Sequence, residues 1–356
     1  MVERIRRAQE LLDEYRVSAL LLMSSPNVFY LSGLKASLAY LVITKEKAYL
    51  LTDGRYYERA KPLAHELLEV HLILENPLQT LKKFLRSLAV PSVGIEGDHI
   101  TLAVRNSLRS RYFKLIPLVS PLKKLRLRKD ERERELIKKA IALTDRIFKE
   151  LLEGPILGET ELSLRGKVVN KAFSLGSTGE SFPAIVAFRE NSAIPHWESS
   201  NAKISGKGAL LFDFGVVYQG YVSDFTRTVY LGKAEEEFKR AYQLVKEAYF
   251  KALDMVRVGR DAREIDLAVR NYFREKGVLS HFTHSTGHGV GIEVHEPPRL
   301  YYNLKEEIRI EEGMVFTIEP GLYFPGKFGI RLENIVFVED GRGVVYSEVP
   351  LELLEL

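Results

Sequence analysis

At 356 residues, 46% of them hydrophobic, the chain exceeds the usual size of one core and predicts two domains with ample capacity to bury apolar surface. Lys and Arg number 52 against 48 Asp and Glu, and this net charge of +4, with no basic segment interleaved with aromatics, argues against a nucleic-acid partner. The absence of cysteine excludes a disulfide framework, a thiolate metal site and a cysteine nucleophile, so any metal must be held by His, Asp and Glu.

The opening stretch MVERIRRAQELLDEYR is too charged for a signal peptide, and no apolar run approaches the ~18 residues that span a bilayer, so the expectation is a cytoplasmic protein with no membrane partner. A helix with Ile5, Ala8, Leu11, Leu12 and Tyr15 on one face leads into the strand-like SALLLMS. The hairpin AYLVITKEKAYLLTD, the strand EVHLILE, the helix PLQTLKKFLRSL and the short strands SVGIEG and FKLIPLV around one more helix follow. This alternation predicts an α/β N-terminal domain over residues 1–122, and the Ser-Pro step followed by KKLRLRK predicts a linker at 123–128.

Residues 129–356 read differently. Two long helices, about 130–153 and 159–175, precede the strand FPAIVAF and the hairpin LFDFGVVYQGYVSDFTRT. Two more amphipathic helices, about 235–256 and 262–276, precede strands near 314–324 and 329–338. Helices and strands are grouped rather than alternating, which predicts an α+β domain with a mixed or antiparallel sheet. Two helix pairs and two hairpins suggest an internal duplication.

Each hairpin presents two acids from strand interiors. Asp213 and Asp224 are symmetric about Tyr218 and Gln219, so a tight turn there pairs Val217 with Gly220 and sets the two aspartates opposite each other, about 5 Å apart on one face. Glu319 and Glu333 are symmetric about Gly326 in a Pro-Gly-Lys turn. Burying unpaired carboxylates costs more than a domain's stability margin, so these acids need counter-charge. Two divalent cations cancel four carboxylates. Arg227 and Arg331 are the alternative source, but Arg331, two residues from Glu333, shares its face and can support one acid without neutralising four. The residues favour a metal floor over an acid–base network without excluding the latter.

Histidine adds weight. FTHSTGHGVGIEVHE concentrates His284, His288 and His295 where glycines let the backbone approach a site, and imidazole with carboxylates is a reasonable shell for two transition ions. His196 in NSAIPHWES is a fourth candidate, whereas His65, His71, His99 and His281 lack such context and read as structural or surface groups. Serine chemistry is the weaker alternative, because no G-x-S-x-G motif occurs.

Asp213, Asp224 in SDFTRT, His288 in STGHGVG, Glu319 in TIEPG and Glu333 in RLENI together resemble the five-ligand pattern of the pita-bread metallopeptidases, among them methionine aminopeptidase, aminopeptidase P and prolidase. Upstream, NVFYLSGL and LLTDGRYYERA resemble the N-terminal domain of the creatinase, prolidase and aminopeptidase P branch, which methionine aminopeptidase lacks. The resemblance covers essentially the whole chain, and size and composition are similar to the short archaeal prolidases, the Xaa-Pro dipeptidases.

The resemblance implies a creatinase-like N-terminal domain, a pita-bread catalytic domain, and hydrolysis of the bond before proline in small Xaa-Pro peptides by a homodimer. It implies two divalent ions per subunit, Mn2+ or Co2+ foremost, with Zn2+ or Fe2+ as alternatives. Asp213 is implied to hold one ion, Asp224 and Glu333 to bridge both, and His288 with Glu319 to complete the other. His196, His284 and His295 match histidines that support the site or touch substrate; His295, with His196, is expected to donate to the developing oxyanion, and Glu319 to shuttle the proton. Arg299 in HEPPRLYY is the candidate for gripping a dipeptide's free carboxylate, because a planar guanidinium binds both oxygens together. Two other readings remain: an aminopeptidase P acting on longer peptides, and a non-catalytic pita-bread binding module, against which the five filled ligand positions argue. One departure lies at Phe188, Arg189 and Glu190, where this branch more often has small residues, and it bears on pocket size and charge.

Overall fold

In the computed structural model, which describes residues 1–356, the first helix, Val2–Glu14, buries Ile5, Ala8, Leu11 and Leu12 of the stripe expected of it, while Tyr15 falls at its C-cap and is half-buried. The chain divides into two units, Met1–Arg126 and Leu127–Leu356, against the 1–122 and 129–356 expected. Lys123–Leu127, within the expected linker, is a short helix with Leu125 buried.

The first unit is built on a six-stranded sheet in the order Leu68–Ile73, Ala48–Asp53, Ala39–Thr44, Ala19–Leu22, Ser92–Glu96, Lys114–Leu118. The hairpin Ala39–Thr44 and Ala48–Asp53 is antiparallel, whereas Ala19–Leu22 runs parallel to Ser92–Glu96. Ala19–Leu22 and Ala39–Thr44 are buried at every position, as their unbroken apolar runs require of strands covered on both faces.

In the second unit every strand pair named here is antiparallel. Gly208–Asp213 lies between Ile185–Phe188 and Thr226–Leu231. A five-stranded sheet runs Glu296–Leu300, Gly287–Gly289, Val315–Ile318, Asn334–Glu339, Arg342–Val345. Helices Glu131–Leu152, Glu161–Ser174 and Ala262–Glu275 each begin with a capping box, on Asp130, Thr160 and Asp261, which explains why their starts are sharp. With Glu236–Met255 they form two packed pairs that bury the sheets' apolar faces.

The strands expected near 314–324 and 329–338 are each broken in two, at Glu319–Pro320 and at Leu332–Glu333. At the breaks the backbone bonds leave the ladder: Glu319 N donates to Thr286 O at 2.8 Å and Glu333 N to Thr226 O at 3.1 Å. The acids are thereby stitched to the neighbouring strands that carry the rest of the site. The pairs Ile318↔Asn334 and Gly321↔Arg331 share one register, mirrored about Gly326, so Glu319 and Glu333 face each other as expected.

The first hairpin differs from expectation by two residues. Tyr218 pairs with Tyr221 and Asp213 with Thr226, and the turn is Gln219–Gly220, with φ of 48° and 88°. Two successive positive φ values are what a two-residue turn between twisted strands needs, and Gly220 supplies the second without strain. Asp224 then lies opposite Gly215, where a Cβ would sit 1.9 Å from Ser223 O. A shift of two preserves side-chain parity, so Asp213 and Asp224 still share a face.

Candidate metal centre

Ligand-type atoms of Asp224, His288 and Glu333 lie within 4.8 Å of one another. His288 Nε2 is 3.6 Å from Asp224 Oδ2 and 3.4 Å from Glu319 Oε1. The other ring nitrogen, Nδ1, sits 3.2 Å from Gly289 O and must carry the proton to satisfy that carbonyl. Nε2 therefore aims a lone pair at two carboxylates. Burial, then the nearby His295, holds His288 down at about 3, so near neutral pH the ring takes up no second proton, and only a proton held by the acids or a cation can relieve this meeting of lone pairs.

The acids show the same deficit. Burial, then the charges of Glu333 and Asp213, pushes Asp224 well up; burial and Glu333 do the same to Glu319, and burial with Asp213 brings Glu333 to about 8. Asp213 Oδ1 and Glu333 Oε1 are buried without a hydrogen-bond partner. The donor set of carboxylates and one imidazole, with two orphaned oxygens, fits divalent cations in an O/N shell.

One arginine serves the floor. Arg331 binds Asp213 Oδ2 through Nη2, and also donates to Tyr323 Oη at 2.7 Å and Thr226 Oγ1 at 3.2 Å. Arg227 hydrogen-bonds to no carboxylate of the floor, although its charge counters the rise of Glu333: its buried guanidinium donates to Glu333 O, Thr226 O, Val349 O, Pro350 O and Asn334 Oδ1, and burial lowers it to about 10.

The remaining histidines take distinct places. His284 Nδ1 is 2.8 Å from Ser285 O and its Nε2 is 2.8 Å from Tyr323 Oη, so it reaches Asp213 through Tyr323 and Arg331 rather than facing the acids directly. His295 is exposed and stands edge-on to His288, with ring centroids 4.3 Å apart. His196, also exposed, is near enough to disfavour charge on both His295 and His284. His281 is a packing residue, its Nδ1 3.0 Å from Tyr323 O and its ring against Phe324.

Arg299 lies opposite His288 across the strand pair, which puts both side chains on one face. It is exposed, rests over the Tyr301 ring at 5.1 Å, and no carboxylate pairs with it. The Phe188–Glu190 departure bears on packing instead. Phe188 is buried, and Arg189, at φ 53°, donates to Lys207 O at 3.0 Å and Ser205 O at 2.9 Å while covering the Phe188 ring.

Sequence reasoning missed the groups that hold the histidine-bearing segments. Asp266, wholly buried, accepts from Thr286 N at 3.0 Å, Thr286 Oγ1 at 2.7 Å, Arg270 Nε at 2.7 Å and Tyr302 N at 2.9 Å, fixing the stretch between His284 and His288. Lys129 and Glu296 form a buried ion pair at 2.7 Å beside His295. An acid on a helix face, such as Asp266, carries no local signal of burial. Only its partners reveal it.

A buried acid floor, built from two strand hairpins and faced by a histidine lone pair, defines a metal-dependent hydrolase on an α+β framework. Residues 135–340 match metallopeptidase family M24 and residues 4–128 the creatinase/prolidase N-terminal domain, so the chain belongs to family M24 and pairs a pita-bread domain with a creatinase-like one. An Xaa-Pro dipeptidase of Pyrococcus horikoshii is 33% identical over 99% of both chains. Among solved structures, an Xaa-Pro dipeptidase from Bacillus anthracis superposes with a TM-score of 0.95 at 31% identity, covering 100% of this chain and 99% of the other. An X-Pro aminopeptidase from Thermotoga maritima gives 0.89 at 30% identity, over 98% and 100%. No helix is long and apolar enough to cross a membrane.

Proposed function

We propose that the chain is an Xaa-Pro dipeptidase, hydrolysing the bond before a C-terminal proline with two divalent ions. The observation that carries the dipeptidase reading is Arg299, a guanidinium free of carboxylate partners on the same face as His288, where it can clamp the proline carboxylate. Relatives of this length bearing that activity support it.

Asp213 would hold one ion, Asp224 and Glu333 both, and His288 with Glu319 the other. Such ions, when bound, supply Lewis acidity that polarises the scissile carbonyl and acidifies a water. Glu319, its oxygen 3.4 Å from His288 Nε2, takes the proton of the attacking water and returns it to the departing proline nitrogen. His295 and His196 donate to the oxyanion, each good donor being worth about 3 kcal/mol. His284, through Tyr323 and Arg331, holds Asp213 in its rotamer.

The reading extends to Mn2+ or Co2+ as native ions, with Zn2+ or Fe2+ as alternatives, and to a cytoplasmic homodimer. The O-rich donor set supports the metals, and the family resemblance the dimer.

Chelator-stripped protein, reloaded with each metal in turn, should cleave Met-Pro far faster than Met-Pro-Yaa tripeptides. Arg299→Ala should cost about 1.5–3 kcal/mol of transition-state binding on the dipeptide and much less on the tripeptide. Equal or faster tripeptide cleavage by the wild type would assign aminopeptidase P, the reading that the Thermotoga neighbour favours.

A further inference from the structure

Glu161 opens the helix Glu161–Ser174 and is wholly buried, yet it faces no cation. Its Oε1 accepts from Phe188 N and Asn191 Nδ2, both at 2.8 Å. Its Oε2 accepts from Trp197 Nε1 at 2.9 Å, Ser200 N at 3.1 Å and Ser200 Oγ at 2.9 Å. All five donors are neutral, and all come from the segment 188–200, which carries His196 on its exposed side. The same segment is fastened to the acid-bearing hairpin, since Gly329 N donates to Ser192 Oγ at 2.8 Å.

We propose that Glu161 is the positioning residue of His196: its carboxylate, through Trp197 and Ser200, fixes the segment that brings His196 to the substrate. An ionised carboxylate suits this task because both oxygens accept, whereas a glutamine would turn one of them into a donor facing donors. Charge-assisted bonds are also roughly twice as strong as neutral ones, and the helix N-terminus adds to the stability of the anion. The inference rests on the reading of His196 as an oxyanion donor.

A double-mutant cycle on the metal-loaded enzyme tests it, with Trp197, the chain's single tryptophan, as the fluorescent reporter. Glu161→Gln should lower kcat and kcat/KM together by roughly a hundredfold, the scale on which a displacement of about 1 Å costs. It should change Trp197 emission and leave the metal content at the wild-type value. In a His196→Ala background the same change should cost less than about twofold. If Glu161→Gln fails to fold, Trp197→Phe, which removes one of the donors, should show a smaller loss that also vanishes in the His196→Ala background. Losses that multiply, or lost activity with unchanged emission, would overturn the assignment while leaving His196 in place. Wild-type rates in His196→Ala would remove the role of His196, and this inference with it.

Discussion

Glu96 and Glu333 are both buried glutamates beside strand ends, one in each unit, and they have opposite surroundings. Glu96 accepts from Met23 N at 2.5 Å, Ser24 N at 2.8 Å, Ser24 Oγ at 2.5 Å and Asn27 Nδ2 at 2.6 Å, so its charge is distributed over a nest of donors. Glu333 has Thr226 Oγ1 at 2.6 Å on one oxygen, nothing on the other, and Asp213, Asp224 and Glu319 around it. Burial alone therefore does not call for a metal. Burial without donors, among like charges, does.

The largest break in that comparison should come from Asp224→Asn or Glu333→Gln, which remove an acid from the floor. Turnover should fall by roughly a thousandfold or more, several kcal/mol of lost charge stabilisation. The metal-free melting temperature should hold or rise, because repulsion is relieved. Near-wild-type turnover in steady-state assays of either variant would remove the acid from the site.

Metal itself should have the next largest effect. Elemental analysis should find two ions per chain, and calorimetry should show the wild type stabilised by about 2.7 kcal/mol for each site at a hundredfold excess over Kd. Glu96→Gln should behave in the opposite manner. It should cost about 1–3 kcal/mol of stability in denaturant titrations, from donors left facing an amide, and leave metal content unchanged.

The smallest effect is the pH dependence of the metal-free chain. Glu333 rises from 4.5 to about 8 on folding, so between those values the folded chain keeps a proton that the unfolded chain releases, and stability falls as pH rises. His284 and His288 fall from 6.5 to about 3 and oppose this at lower pH, where the unfolded chain binds the extra protons. The interval from pH 6.5 to 8 isolates the acids: the melting temperature of the metal-free wild type should decline across it, Glu333→Gln should flatten the decline, and added Mn2+ should abolish it. A flat wild-type profile would show that Glu333 is satisfied in a way that the hairpin geometry does not provide.

By itself the sequence determined the features with local causes. Capping residues set helix starts, and period-two burial with a Pro-Gly-Lys turn mirrored Glu319 and Glu333 about Gly326. Period-two parity also kept Asp213 and Asp224 on one face when the turn fell at Gln219–Gly220 instead of one residue earlier, a choice that depends on Gln219 accepting a positive φ. Tertiary structure decided which arginine serves the floor: Arg331 reaches Asp213 from 118 residues away, while Arg227 turns to backbone carbonyls. It also decided that Glu96, Glu161 and Asp266 are buried anions rather than surface acids. Apart from Arg270, one helical turn from Asp266, their donors come from segments distant in the chain, and hydrogen-bond partners of that kind leave no periodicity or spacing for a sequence to show.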